Sequence, residues 1–168
     1  DYSVSPSNTI TYTASCSGIG GTVTDNVTVT VVDTTNPTIS FDPTSRSWND
    51  TDVNVIVTAS DTSGISAIYY CWTTGSSCTP STSFTNGSTL TQSSNGSWNL
   101  CIKAIDNYNN ETTQCSGRYQ IDKTDPVVDS FSVDGHTSNF STYDTSLTIA
   151  WSVSDSGGSS LSNVEVWR

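Results

Sequence analysis

Val32-Asp33-Thr34-Thr35-Asn36-Pro37-Thr38-Ile39 recurs later in the chain as Ile121-Asp122-Lys123-Thr124-Asp125-Pro126-Val127-Val128. In each copy an apolar residue precedes an Asp, a Pro follows four residues on, and apolar character resumes after the Pro. Pro37 and Pro126 lie 89 residues apart. Repetition at a set distance is the mark of a tandem array. The two stretches therefore read as joints. They divide the 168 residues into 1–35, the closing part of one module, 36–122, a complete module, and 123–168, the opening part of another.

Periodicity outward from the joints gives the class. No segment carries a helical period. Val53, Val55, Val57 and Ala59 alternate, with Asn54 and Thr58 on the opposite face, and Trp98, Leu100, Ile102 and Ala104 alternate along a core strand. Ile10, Tyr12, Ala14 and Cys16, then Val27, Val29 and Val31, do the same before the first joint. Phe131 and Val133, then Leu147, Ile149, Trp151 and Val153, do so after the second. Gly, Asn, Asp and Ser bound these runs, which is the pattern of an all-β sandwich. Residues 65–73 read as a third strand of the central module, and Phe84 and Leu90 anchor one or two short edge strands. The 106–110 turn leads into a return strand over 111–121, and Val164 and Val166 open a strand near the end. Methionine is absent, so the chain is expected to be a segment of a longer product or a processed one.

Acidic residues outnumber Lys and Arg by 16 to 5, for a net charge of −11. No basic patch can form, which argues against nucleic acid and against an anionic membrane surface. No apolar run is long enough to insert into a bilayer. Cations are the natural counterpart of such a surface.

Cys16, Cys71, Cys78, Cys101 and Cys115 have no zinc-site spacing, and the sole histidine is His136. Disulfides in an extracellular setting account for them better. A hairpin turning over 106–110 places Cys101 opposite Cys115, on the face away from Leu100 and Ile102. A turn at Thr74-Gly75 places Cys71 opposite Cys78. In the loop-entropy picture these bridges are worth about 3 and about 2.5 kcal/mol. An inter-sheet bridge such as Cys71–Cys101 is the alternative. Cys16 has no nearby mate. Tyr119 and Ile121 share the parity of Cys115, so a bulge at Gly117 is needed to turn them inward. Six Asn-x-Ser/Thr sequons, at Asn26, Asn49, Asn86, Asn95, Asn110 and Asn139, fit an exterior surface.

The stretch from Val4 to Gly18, followed by Val27-Thr28-Val29-Thr30-Val31, resembles the end of bacterial extracellular Ig-like or PKD-like repeats. Lys103-Ala104-Ile105-Asp106-Asn107-Tyr108-Asn109-Asn110 is similar to a Lys-Ala-x-Asp-x-x-Gly-Asn hairpin of such repeats, with Asn109 in the Gly place. The resemblance covers most of the chain outside 79–97. It implies tandem Ig-like β-sandwiches, one complete and two partial, in a stalk or fibre segment of an adhesin-type surface protein.

In an Ig-type sandwich the entering chain and two loops share one end. That arrangement would gather Asp33, Asp61 and Asp106 at the first joint, and Asp122, Asp125 and Asp155 at the second. Oxygen clusters of this kind suit Ca²⁺. The same Asp residues also suit turn capping through their own backbone. Tyr69, Tyr70, Trp72 and Tyr108 are the candidates for a glycan-binding surface, and a ligand-binding module for glycan or protein is the alternative function. No catalytic constellation is apparent: His136 lies in a Gly-His-Thr context, and Glu111 and Glu165 fall in different modules. The expectation is a non-enzyme. Its partners would be neighbouring modules of the same polypeptide. Residues 124–168 and 1–34 also supply complementary parts of a module, which two copies could join head to tail.

Overall fold

Along Val53–Ser60 every second residue is buried and the residues between are exposed. This is what a β-branched run does when one side of a pleated sheet is dry. The computed structural model describes residues 3–139 and 146–167. In chain order the strands are β1 (Ile10–Gly18), β2 (Gly21–Val29), β3 (Thr38–Asp42), β4 (Arg46–Asn49), β5 (Val53–Ser60), β6 (Ile65–Thr73) and β7 (Thr82–Ser83). They continue with β8 (Thr89–Gln92), β9 (Gly96–Asp106), β10 (Glu111–Cys115), β11 (Tyr119–Ile121), β12 (Val127–Val133) and β13 (Ile149–Ser154). The described residues are all-β, without a helix.

Residues 38–121 build two sheets around one core. One sheet has the order β3-β5-β8, and the other β4-β11-β9-β6-β7, with β10 also on β9. Phe41, Val53, Val55, Val57, Ala59 and Leu90 of the first sheet share a cluster with Ile68, Leu100, Ile102, Ala104, Tyr119 and Ile121 of the second. Two sheets sharing one apolar layer are consistent with a β-sandwich. The hairpins β1–β2 and β12–β13 form separate two-stranded sheets on either side in sequence.

The return strand after Asn110 is interrupted, not continuous. β10 pairs with β9 so that Cys115 faces Cys101, whereas β11 pairs with β9 so that Tyr119 faces Trp98. Four residues on one strand therefore span three on the other, which is a bulge of one residue. It brings Tyr119 and Ile121 to complete burial. Gly117 lies at this step, its N–H bonded to Thr44 O at 3.0 Å. A methyl group there would stand 2.8 Å from Ser45 Cβ and 3.0 Å from Thr44 O. β11 then pairs in parallel with β4. The Tyr119 hydroxyl donates to Pro43 O at 2.6 Å, and burial pushes its pKa above the usual phenol value.

Cys71 is bonded to Cys78 and Cys101 to Cys115, the pairing that the hairpin registers imply. The alternative, an inter-sheet Cys71–Cys101 bridge, misplaces the strands: β6 and β9 are neighbours in one sheet, and these two residues face each other across it. Asn109 takes the Gly place in its turn with φ of 67°. Asn tolerates this left-handed region better than most residues. Phe84 and Leu90 do mark edge segments, of which β7 is two residues long. The expected strand at Val164 and Val166 is not formed, since residues 155–167 contain no strand. In the central unit β6 is held by β9, and the described residues after β13 have no such neighbour.

Gly117→Ala should overpack the step against Thr44 and Ser45, lowering stability by about 1–3 kcal/mol in urea titration. Gly20→Ala, where an added methyl meets nothing within 4 Å, should leave the transition unchanged. Equal transitions for both variants would contradict this role of the bulge.

Candidate functional site

Asp33, Asp61 and Asp106 reach the first joint from three separate pieces of chain. Asp33 follows β2, Asp61 opens the turn after β5, and Asp106 ends β9. One carboxylate oxygen from each lies within 4.8 Å of the other two. The cluster is made by topology, because the alternation that packs β5 and β9 also carries their ends to the same edge.

Each acid is first held by its own turn. Asp33 Oδ1 accepts from Thr35 N at 2.9 Å and from Thr35 Oγ1 at 2.5 Å. Asp61 Oδ1 accepts from Ser63 N and Ser63 Oγ, both at 2.8 Å. Asp106 is fully buried. Its Oδ1 accepts from Tyr108 N and Asn110 N, both at 2.8 Å, and its Oδ2 from Asn110 Nδ2 at 2.7 Å. The hydrogen bonds from Thr35 hold Asp33 down at a pKa of about 2. Burial pushes Asp106 up, but the donors of Asn110 and Tyr108 outweigh it and hold the carboxyl below its ordinary value.

Cross-links then tie the joint to the central unit. Asn110 Nδ2 also donates to Asp33 O at 3.1 Å. Thr112 Oγ1 donates to Pro37 O at 2.6 Å. Thr35 Oγ1 lies 3.3 Å from Asp61 Oδ2. Asp33 Oδ2 is buried without a hydrogen-bond partner. The two salt bridges among the described residues, Lys103–Glu111 and Lys123–Asp52, involve none of the three acids. An all-oxygen donor set with a buried, unpartnered carboxylate oxygen fits a hard cation such as Ca²⁺. The sulfurs of Cys71, Cys78 and Cys101 also converge, but disulfide bonds occupy them.

The second joint is knit differently. Asp122 is 7% exposed; its Oδ1 accepts from Thr124 N at 3.0 Å and its Oδ2 from Ser159 N at 2.9 Å. The hydrogen bonds of Ser159 hold this carboxyl below its ordinary pKa. Asp155 Oδ1 accepts from Gly157 N at 3.1 Å, and its Oδ2 from Ser159 Oγ at 3.2 Å. Asp125 is exposed, and the three acids do not form a group like that of the first joint among the described residues. The third carboxylate of the first joint comes from the β9–β10 turn, which has no described counterpart here. Gly157 sits so close to Asp122 that an added Cβ would lie 1.5 Å from Oδ1. Gly158, with φ of 113°, packs against the Trp48 ring. On the other side, Asn95 Oδ1 accepts from Lys123 N at 3.0 Å, and Asn95 Nδ2 donates to Thr124 Oγ1 at 2.7 Å.

Several of these contributors escape a reading of the sequence. Thr35, Ser63 and Thr124 had a signal: each stands two residues after an Asp, where its N–H can close a turn on the carboxylate. Asn95 and Asn110 read as sequons, and their role in the joints has no signature. Asn49 and Asn86 hold loops as well, the first through Thr51 and the second through Ala59 N and O. Of the aromatic candidates, Tyr70 packs edge-on to Phe84 and Trp72 edge-on to Tyr119. Tyr69 and Tyr108 stay off the core cluster, and Tyr108 is 49% exposed.

Lowered carboxylate pKa values fix the sign of the pH dependence. Each group contributes fully above the unfolded value near 3.8; the contribution of Asp33 is lost as pH falls toward about 2, and those of Asp106 and Asp122 are lost as pH falls through their own lowered values. Thermal melts should therefore drop between about pH 4 and pH 2, and Asn110→Ala should flatten part of that drop while costing about 1–3 kcal/mol at neutral pH. Gly157→Ala should displace the 155–159 turn, seen as faster amide exchange at Ser159; unchanged exchange would contradict the packing. No protein-family model matches the sequence, and no curated protein is significantly similar to it.

Proposed function

We propose that the chain is a stalk or fibre segment of an extracellular bacterial surface protein, spacing and presenting other domains. In this reading 36–122 is a complete Ig-like module, and 1–35 and 123–168 belong to its neighbours. The observation that carries it is the doubled joint. Asp33 and Asp122 occupy matching places in the repeat, and side chains of the central unit bind the chain at both. The strand order of the central unit, with β4 in parallel on β11 and β3-β5-β8 opposite, supports the Ig-like assignment. The two disulfides point to an oxidising environment. A secreted, cell-surface location follows in this proposal.

Exposed apolar side chains support neighbours on both flanks. Val23 and Val27 of β1–β2, and Phe131, Ile149 and Trp151 of β12–β13, are open to solvent. Adjoining modules of the same polypeptide would cover them, and head-to-tail pairing of two copies is the other cover. Light scattering across concentration separates these, since only the second yields a growing mass.

Ca²⁺ bound by Asp33, Asp61 and Asp106 would neutralise the mutual repulsion of the three acids and stiffen the joint. The affinity expected of such an extracellular site is a Kd of about 10⁻⁴–10⁻³ M. Melting temperature should rise from chelator to excess Ca²⁺, and Asp61→Asn should abolish the rise. An identical melt in both buffers removes the calcium element. A small-angle scattering profile of freely jointed segments, with or without Ca²⁺, removes the stalk.

A further inference from the structure

Cys71, Cys101 and Cys115 stand in one row across three neighbouring strands. Cys71 of β6 faces Cys101 of β9, and Cys101 faces Cys115 of β10. Directly opposed residues on adjacent strands project to the same side of a sheet. The row therefore lies on the face away from Leu100 and Ile102. Cys78 joins it from the loop after β6, and the sulfurs of Cys71, Cys78 and Cys101 all lie within 4.8 Å of one another. Two disulfides thus sit side by side, with the sulfur of one next to a sulfur of the other. Cys101 is fully buried, whereas Cys71, Cys78 and Cys115 are partly accessible.

From this placement we infer that the row is a thiol–disulfide exchange site that takes a dithiol reductant. The reductant transfers two electrons to Cys71–Cys78 and becomes a disulfide itself, leaving two protein thiols. Cys71 loses its proton to solvent, and its thiolate attacks Cys101 Sγ. The Cys71–Cys101 bond forms as Cys101–Cys115 breaks, and the electron pair leaves on Cys115, which takes a proton from solvent. One bond replaces another, so the second step needs no oxidant. Opposed residues on antiparallel strands have Cα atoms about 4.5–5.5 Å apart, inside the span of about 4.4–6.8 Å that a disulfide bridges. The product keeps β6 covalently tied to β9. It unclips β10, which carries Thr112 to the first joint.

The test uses the full chain with Cys16→Ser, which removes the exposed unpaired thiol as a competitor. The chain is treated with substoichiometric dithiothreitol, quenched in acid and alkylated. Chymotrypsin separates the four cysteines, because Tyr70, Trp72, Phe84, Leu100 and Tyr108 divide them. The expected two-thiol species links the Cys71 and Cys101 peptides and carries alkyl groups on Cys78 and Cys115. Its rate of appearance after the first reduction should not depend on protein concentration. Two-thiol species holding native bridges alone, or a rate proportional to protein concentration, would overturn the inference. As a second arm, the same chain with Cys78→Ser should oxidise to Cys71–Cys101 with Cys115 alkylated; Cys71 alkylated beside an intact Cys101–Cys115 overturns it equally.

Discussion

The alternation along β9 is the constraint on which the rest depends. Leu100, Ile102 and Ala104 point into the layer between the sheets and are fully buried. With that face fixed, Cys101 must point the other way, and Asp106 must emerge at the edge where the first joint arrives. A shift of one residue would send the apolar set and Asp106 outward together and turn Cys101 inward. β9 also templates β6 on one side and both β10 and β11 on the other. The core, the cysteine row and one member of the acidic cluster are thus consequences of a single register.

The joints extend that order beyond the core. A carboxylate buried without partners would be costly. Asp106 avoids the cost through three donors, and Asn110, which supplies two of them, uses its amide again on Asp33 O. Asp122 does the same with Thr124 and Ser159. Asn110 and Asp122 thus serve both the satisfaction of a buried acid and the attachment of the neighbouring chain. A segment leaving a folded unit need not be flexible when its polar groups are satisfied by that unit.

What the sequence made legible follows from local rules. β5 and β9 announce themselves through alternation of their buried apolar residues, and the Asp106–Asn110 turn sets the register that pairs Cys101 with Cys115. The bulge at Gly117 was legible because Tyr119 and Ile121 carried the wrong parity for apolar residues. β4 was not, since Arg46-Ser47-Trp48-Asn49 has one large apolar side chain and owes its extended form to β11. Nor was the fate of Val164 and Val166, whose alternation lacks a partner strand. Of the six acids placed at the joints, Asp33, Asp61 and Asp106 converge because β5 and β9 end together. Asp125 does not join Asp122 and Asp155, and this was not legible, because alternation and turn signals say nothing of which side of a joint a residue occupies.

Backbone order at the joints is the most direct measure of the central claim. ¹⁵N relaxation on the full chain at neutral pH, in buffer containing Ca²⁺, reports it at Thr34, Thr35, Asn36, Lys123 and Thr124. Order parameters near 0.85, about those of β5 and β9, are the predicted result. Values below about 0.6 at these residues, with the flanking hairpins tumbling independently of the central unit, would contradict the account.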